Sequence, residues 1–597
     1  MPQQRHGPRV RFELRFKISS VARSGNTNNV TRDLSTGRAC ADSNMAFPWV
    51  VGLLIAMATS CQSAKRPNIV FIVADDLGYN DVSFHGSNQI PTPNIDNLAY
   101  NGIILNNYYV SPICTPTRSA IMTGRHPIHT GMQHSVIAGD EPYGLPLTET
   151  IMPQYFKELG YKSHIVGKWH LGFFAKEYTP TYRGFDSHFG YWLGCEDYFD
   201  HTSEAWLSQW GLDFRRNMDL LDNYTGQYST ELFTQEAVNI INTHNQSEPL
   251  LLYLPYQAVH SGNLDAFPLQ APEMYTKRFP NIQNINRKLY AGMVSALDDG
   301  VGEVVKALNQ SGLMNNTIIA FTTDNGGPSN GFDGNAASNY PLRGVKATLW
   351  EGGVRGVGFV HSPLLQKTGY VSQQMLHVTD WLPTLFSAAG GDPKRLRKQD
   401  GFDSWNMLST NGAPVRTEML HNIDPLNKFG GLRVGEYKLL TGNVGYGNKW
   451  NGWYPPWQLE QDTDRLHGSK YDKMSDNAWT KYAESRQIPS NDIHVRAAGN
   501  YQTSRRLSGS PVPITCGPKP QNASTNCEPM KAPCLYHIPS DPCEYHNIAD
   551  QHQDIVIQLL TRLEQYTYTM IPPGNKPLDP NGNPSLHGNA WVPWVEL

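Results

Sequence analysis

The chain has 597 residues, of which 39% are hydrophobic and 17% charged, so it is globular rather than disordered and too long for one ordinary domain. Its formal net charge of −4 gives no basic excess, which argues against a nucleic-acid partner.

The first element is the apolar run 47–59, FPWVVGLLIAMAT. It is shorter than the roughly 20 residues that cross a bilayer. It has the length of the apolar region of a signal peptide, and Ser60, Ser63 and Ala64 supply the small residues that follow one. Met45 stands just before it, which points to translation starting there with residues 1–44 as an extension. The alternative is a short signal anchor. Either way residues 1–64 stand apart, the rest enters the secretory route, to the lysosome or outside, and no stable membrane span is expected after cleavage. Sequons at Asn223, Asn245, Asn309, Asn315 and Asn522 agree with export.

The run 68–73, NIVFIV, reads as a strand buried on both faces. It ends at Asp75 and Asp76. A helix is predicted over 147–159 and a short strand over 164–166. A helix over 234–243 leads into the buried strand 250–254, LLLYL. A long helix is predicted over 285–308, then a third buried strand over 317–323, TIIAFTT, ending at Asp324 and Asn325. A helix over 378–389 follows. Strands alternating with helices predict an α/β fold with a mostly parallel sheet, whose ligands bind at the carboxyl ends of the strands.

Beyond about residue 410 the pattern changes. A strand over 436–440, a polar Trp-rich stretch and an amphipathic helix over 555–566 suggest a smaller α+β domain, giving divisions at 1–64, 65–410 and 411–597. Cys516, Cys527, Cys534 and Cys543 cluster there and suggest two local disulfides of open connectivity. Cys40 and Cys61 fall in the part expected to be removed, and Cys195 is left over.

Asp75, Asp76, Asp324 and Asn325 offer three carboxylates and an amide oxygen at equivalent strand ends, the ligand set of a hard cation such as Ca²⁺ or Mg²⁺. Either pair alone reads equally well as a turn cap. Cys114 precedes Pro116, which suits a first helical turn and would set the sulfur at a helix N-terminus. Arg118 lies four residues on, over the same face. Lys168 and His170, spaced i, i+2 after a strand, can both point at the strand-end crevice.

The motif C-x-P-x-R at Cys114–Arg118, followed by T-G-R, resembles the signature that marks the sulfatase family for oxidation of the Cys to formylglycine. ADDLGYNDVSFHG from Ala74, GKWHLG from Gly167, TTDNGG from Thr322 and PLRGVKATLWEGGVRG from Pro341 extend the resemblance to the arylsulfatase B-like branch, the N-acetylgalactosamine-4-sulfatases and related I and J types. It implies an alkaline-phosphatase-like fold and one Ca²⁺ held by Asp75, Asp76, Cys114 as formylglycine, Asp324 and Asn325. It also implies a formylglycine-generating enzyme as maturation partner. Arg118 would hold the formylglycine hydrate, Lys168 would bind sulfate, His170 would contact the hydrate, and His260 and Lys346 would lie near the leaving oxygen. The implied reaction is in-line attack on sulfur by one hydrate hydroxyl, protonation of the leaving group by His260 and release of sulfate with His170 as base. The commonest motif has Ser where this chain has Thr117, which keeps the hydroxyl but stiffens the side chain.

The implied substrate is the 4-sulfate of N-acetylgalactosamine in chondroitin or dermatan sulfate. A sulfatase for small aryl or plant-derived sulfates and a non-catalytic sulfated-glycan-binding protein are the alternatives. The stretch 443–454, Gly-rich with two Trp, reads equally as the sugar side of a cleft and as a surface loop.

Overall fold

The computed structural model describes residues 65–205, 209–263, 267–456 and 509–597, and the described chain folds around a ten-stranded sheet. The apolar run 47–59, Met45, Cys40 and Cys61 lie outside the described residues. The strand Asn68–Ala74 is at the centre, every residue of it buried. It pairs in parallel with Leu250–Pro255 on one side and Thr317–Thr323 on the other. Lys162–Lys168 and Ser187–Tyr191 continue the parallel order outward. Antiparallel strands appear towards the edges, at Gly358–His361 and Arg215–Arg216.

Alternate residues of the central strand serve two cores, which is why the run is continuously apolar. Val70 and Ile72 face the helices Ser229–Thr243 and Ile285–Gln310. Ile69, Phe71 and Val73 face Cys114–Thr123, Met152–Glu158 and Trp381–Ala388. Each such fully buried side chain contributes about 1.5–3 kcal/mol. Register is therefore fixed, and the strand ends that follow are fixed with it.

Two expected helices are shorter than the sequence pattern suggested. Residues 147–151 are not helical, because a helix from 147 would carry Pro153 in its interior; the helix starts at Met152 and Pro153 falls in its first turn. Residues 378–380 form a 3-10 turn closed by Asp380, which accepts from the His377 N–H, and the helix proper begins at Trp381. The helix expected from 234 begins five residues earlier, at Ser229.

A separate antiparallel sheet joins Glu418–Asp424, Phe429–Val434, Tyr437–Gly442 and Cys534–His537. The helix Gln553–Thr569 covers it with Leu559 and Leu563. Lys438 on this sheet is fully buried between Glu351, at 2.8 Å, and Glu544, at 2.9 Å. The cysteines pair as Cys516–Cys543 and Cys527–Cys534. The last residues return to the large sheet: Trp591 is fully buried, donates to the Ser203 carbonyl and packs on Phe173. Among the described residues no helix is long and apolar enough to cross a membrane. All five sequon asparagines are exposed.

Candidate active site at the strand ends

Ala74 and Thr323 are register partners, so Asp75–Asp76 and Asp324–Asn325 leave the sheet side by side. All four are fully buried. The Asp76 N–H donates to Asp324 Oδ1 at 3.3 Å, and Asn325 Nδ2 donates to Asp76 Oδ1 at 2.6 Å. Asp76 has φ 57° and His170 has φ 55°, a left-handed conformation that non-glycine residues hold mainly where the surroundings enforce it.

The helix Cys114–Thr123 delivers Cys114 at its first turn, as Pro116 suggested, and every residue of it is buried. Cys114 Sγ lies 3.8 Å from Asp75 Oδ1. Burial pushes the thiol far above the usual thiol range, with Lys168 and Lys346 only partly offsetting it. The Thr117 hydroxyl accepts from the Ser111 N–H at 3.0 Å and donates to its carbonyl at 3.3 Å, so it ties the helix to the preceding turn.

Arg118 rises from the same helix face, as its spacing indicated. It donates to Asp324 Oδ2 at 2.8 and 3.1 Å and to Asp75 Oδ2 at 3.1 Å. Lys168, at the end of Lys162–Lys168, places Nζ 2.6 Å from Asp75 Oδ2. Burial alone would raise Asp75, but Lys168, His260 and Arg118 outweigh it and hold the carboxyl below its usual value. Asp324 goes the other way, pushed up by burial and by Asp75 despite Arg118.

His170 Nε2 donates to the Ile137 carbonyl at 3.2 Å, while its Nδ1 is buried with no protein partner. Burial and the neighbouring Lys168 and Arg118 keep its imidazole neutral, well below the ordinary range. Gly194 makes room for that ring: a Cβ there would lie 2.7 Å from it. Next to Gly194, Cys195 remains unpaired, its thiol pushed up to about 12 by burial.

His260 follows Leu250–Pro255 and turns Nδ1 to the Ser261 carbonyl at 2.6 Å. Its Nε2 stands 3.1 Å from Lys346 Nζ and 3.6 Å from Asp76 Oδ2. Lys346 also contacts Asp76 Oδ2 and Asp333 Oδ2, each at 2.9 Å. Burial would lower Lys346, but Asp333 and Asp76 dominate and hold its ammonium well above the usual value. Asp333 was not foreseen from the sequence. Its signal was the Asp333-Gly334 pair, which marks a turn but not where the carboxylate points.

The donor set suits a hard cation. Ligand atoms of Asp75, Asp76, Cys114 and His260 lie within 4.8 Å of one another, and Asn325 Oδ1 is buried without a protein partner. An orphaned buried acceptor beside clustered carboxylates is what an oxygen-ligated ion satisfies. The structure thus groups Asp75, Asp76 and Cys114 with His260, which the sequence reading did not count among the metal ligands, while Asp324 is engaged mainly by Arg118 and Asn325 by Asp76.

The model of the sulfatase family matches residues 67–391. Arylsulfatase J of Mus musculus is 40% identical over 552 residues, covering 89% of this chain and 81% of that protein. N-acetylgalactosamine-6-sulfatase of Mus musculus is 32% identical over 367 residues, covering 59% and 67%. Among solved structures, Ps i-CgsB superposes with a TM-score of 0.64 at 26% identity, covering 85% of this chain and 94% of that one.

Proposed function

This chain belongs to the sulfatase family, whose members hydrolyse sulfate esters, and we propose that it acts with a formylglycine at position 114 and a calcium ion on the 4-sulfate of N-acetylgalactosamine in chondroitin or dermatan sulfate. The observation that carries the reading is the buried cluster of Cys114, Asp75, Asp76 and His260. Asp75, Asp76, Asp324 and Asn325 would hold the ion, with the oxygen of position 114 facing it. Once bound, calcium and formylglycine would supply a Lewis acid for the sulfate oxygens and a hydrated aldehyde as nucleophile.

The remaining work falls to side chains already in place. Arg118, Lys168 and Lys346 line the site as three buried cations, suited to offsetting charge on sulfate oxygens. His260 keeps Nδ1–H on the Ser261 carbonyl and turns Nε2 to the Lys346 ammonium, so this pair would pass a proton to the departing oxygen. Lys346 and Asp76 fix that edge of the ring. His170, with Nε2–H on Ile137, leaves Nδ1 free to accept a proton from a hydroxyl at position 114.

The sugar class is supported by a relative named for N-acetylgalactosamine 6-sulfate. Passage through the secretory route, to the lysosome or outside, is supported by the exposed sequons and the two disulfides. A formylglycine-generating enzyme would be the maturation partner. The test is peptide mass analysis of the Cys114 segment from active protein, with sulfate release from N-acetylgalactosamine 4-sulfate measured on the same preparation. An intact thiol in fully active material would overturn the nucleophile assignment.

A further inference from the structure

Beyond the charged cluster, Lys346 Nζ lies 5.6 Å from the centre of the Phe332 ring, and from there three aromatic rings run outward. Phe332 and Trp450 have centroids 4.6 Å apart at 39°, and Trp450 and Tyr446 are 4.3 Å apart at 36°. Phe332 and Trp450 are half-buried, and Tyr446 is 40% exposed. The row therefore begins at the residue that touches His260 and Asp76 and ends in solvent.

The rings come from two separate parts of the chain. Phe332 sits on the 3-10 turn Phe332–Gly334, beside the Asp333 that holds Lys346. Tyr446 and Trp450 sit on the loop after Tyr437–Gly442. That loop is pinned to the segment carrying Lys346. Trp350 Nε1 donates to Asn451 Oδ1 at 2.7 Å, Arg343 Nε donates to the Asn451 carbonyl at 2.9 Å, and the Gly344 N–H donates to the Gly452 carbonyl at 2.8 Å. Tyr446 itself holds φ 49°, a conformation that bulky side chains rarely accept. The fold thus places an exposed aromatic, at a conformational cost, on a loop fixed to the active-site wall.

We propose that Phe332, Trp450 and Tyr446 form a stacking platform for the sugar ring next to the one that carries the scissile sulfate. Tyr446, the ring at the solvent end, offers flat apolar surface that suits the C–H face of a pyranose, with Trp450 and Phe332 packed behind it, while Lys346 keeps the sulfated ring at the near end. Exposed Lys449, between the two loop aromatics in sequence, adds positive charge suited to a sulfate or carboxylate on the neighbouring sugar. An acidic oligosaccharide is accordingly bound in preference to a lone sulfate ester. This inference rests on the sulfatase reading and sharpens its substrate.

The test compares wild type, Tyr446→Ala, Trp450→Ala and Trp450→Phe on two substrates: a chondroitin 4-sulfate tetrasaccharide and 4-nitrophenyl sulfate. Losing one platform ring raises KM for the tetrasaccharide about tenfold, as expected for truncating an aromatic anchor. The same variants keep kcat/KM for the aryl sulfate within about twofold, and Trp450→Phe retains most of the tetrasaccharide affinity. Equal losses on both substrates, or unchanged KM for the tetrasaccharide in both alanine variants, would overturn the platform. Wild-type turnover of 4-nitrophenyl sulfate checks the sulfatase reading independently of either result.

Discussion

Lys168→Met removes a cation that is fully buried and 2.6 Å from Asp75 Oδ2. Asp75 would keep Arg118 at 3.1 Å, but that guanidinium also serves Asp324 at 2.8 Å. One cation would then face two buried carboxylates. Removing one partner of a buried pair costs about 3–5 kcal/mol, because the remaining charge cannot be rehydrated. The control is Lys162→Met, whose partner Asp186 is 3.9 Å away and whose side chain is 47% exposed. Exposed pairs of that kind contribute about 1 kcal/mol or less. Urea unfolding of wild type, both Lys variants, Asp75→Asn and the Asp75→Asn/Lys168→Met double variant measures the difference, all in chelator so that no bound cation adds stability. Lys168→Met falls well below Lys162→Met, and the double variant recovers about 1–3 kcal/mol relative to additivity. Equal losses for the two lysines, or a strictly additive double variant, would refute the view that Lys168 neutralises Asp75.

Cys114→Ser keeps a small buried side chain but removes the oxidisable thiol. It is expected to abolish aryl sulfate turnover with an unchanged thermal midpoint, and full activity would reject Cys114 as the nucleophile's precursor. Chelation is expected to lower both activity and thermal midpoint, and Asn325→Ala to weaken the calcium-dependent rise in midpoint; melting curves indifferent to calcium would speak against an ion at this site. His126 is held down to about 4, first by burial, and its neutral ring is fully used, Nε2 on the Leu420 carbonyl and Nδ1 accepting from Ile128. A folded-state value below the unfolded 6.5 means its stabilisation is complete above that pH and lost as pH falls towards 4. Relative to His126→Gln, wild type should lose about 3 kcal/mol of unfolding free energy between pH 7 and pH 4. A pH-independent difference in urea unfolding would contradict that.

The legible parts of the fold were those where one physical demand acts alone. The strand Thr317–Thr323 was readable to the residue because a strand buried on both faces admits little but apolar and β-branched side chains. The helix at 152–158 was over-read because apolar spacing continues upstream, while proline position decides where a helix can start. At the site, the acidic pairs and the Cys114–Arg118 spacing were visible in the residues themselves. His260 and Lys346 stood out only through family resemblance, since a lone His or Lys carries no signal. Asp333 was hidden because its place beside Lys346 depends on a tertiary approach between the 332–334 turn and the strand ends.

The burial of Trp591 ties a remote stretch of chain to the walls of the site. It fills the same core as Trp169 and Trp192, and Trp169 stands between Lys168 and His170 in the chain. Truncating it to alanine would leave a cavity in that core at a cost of about 3–5 kcal/mol. Damage at Trp591 would therefore loosen the support behind Lys168 and His170 without touching a charged side chain.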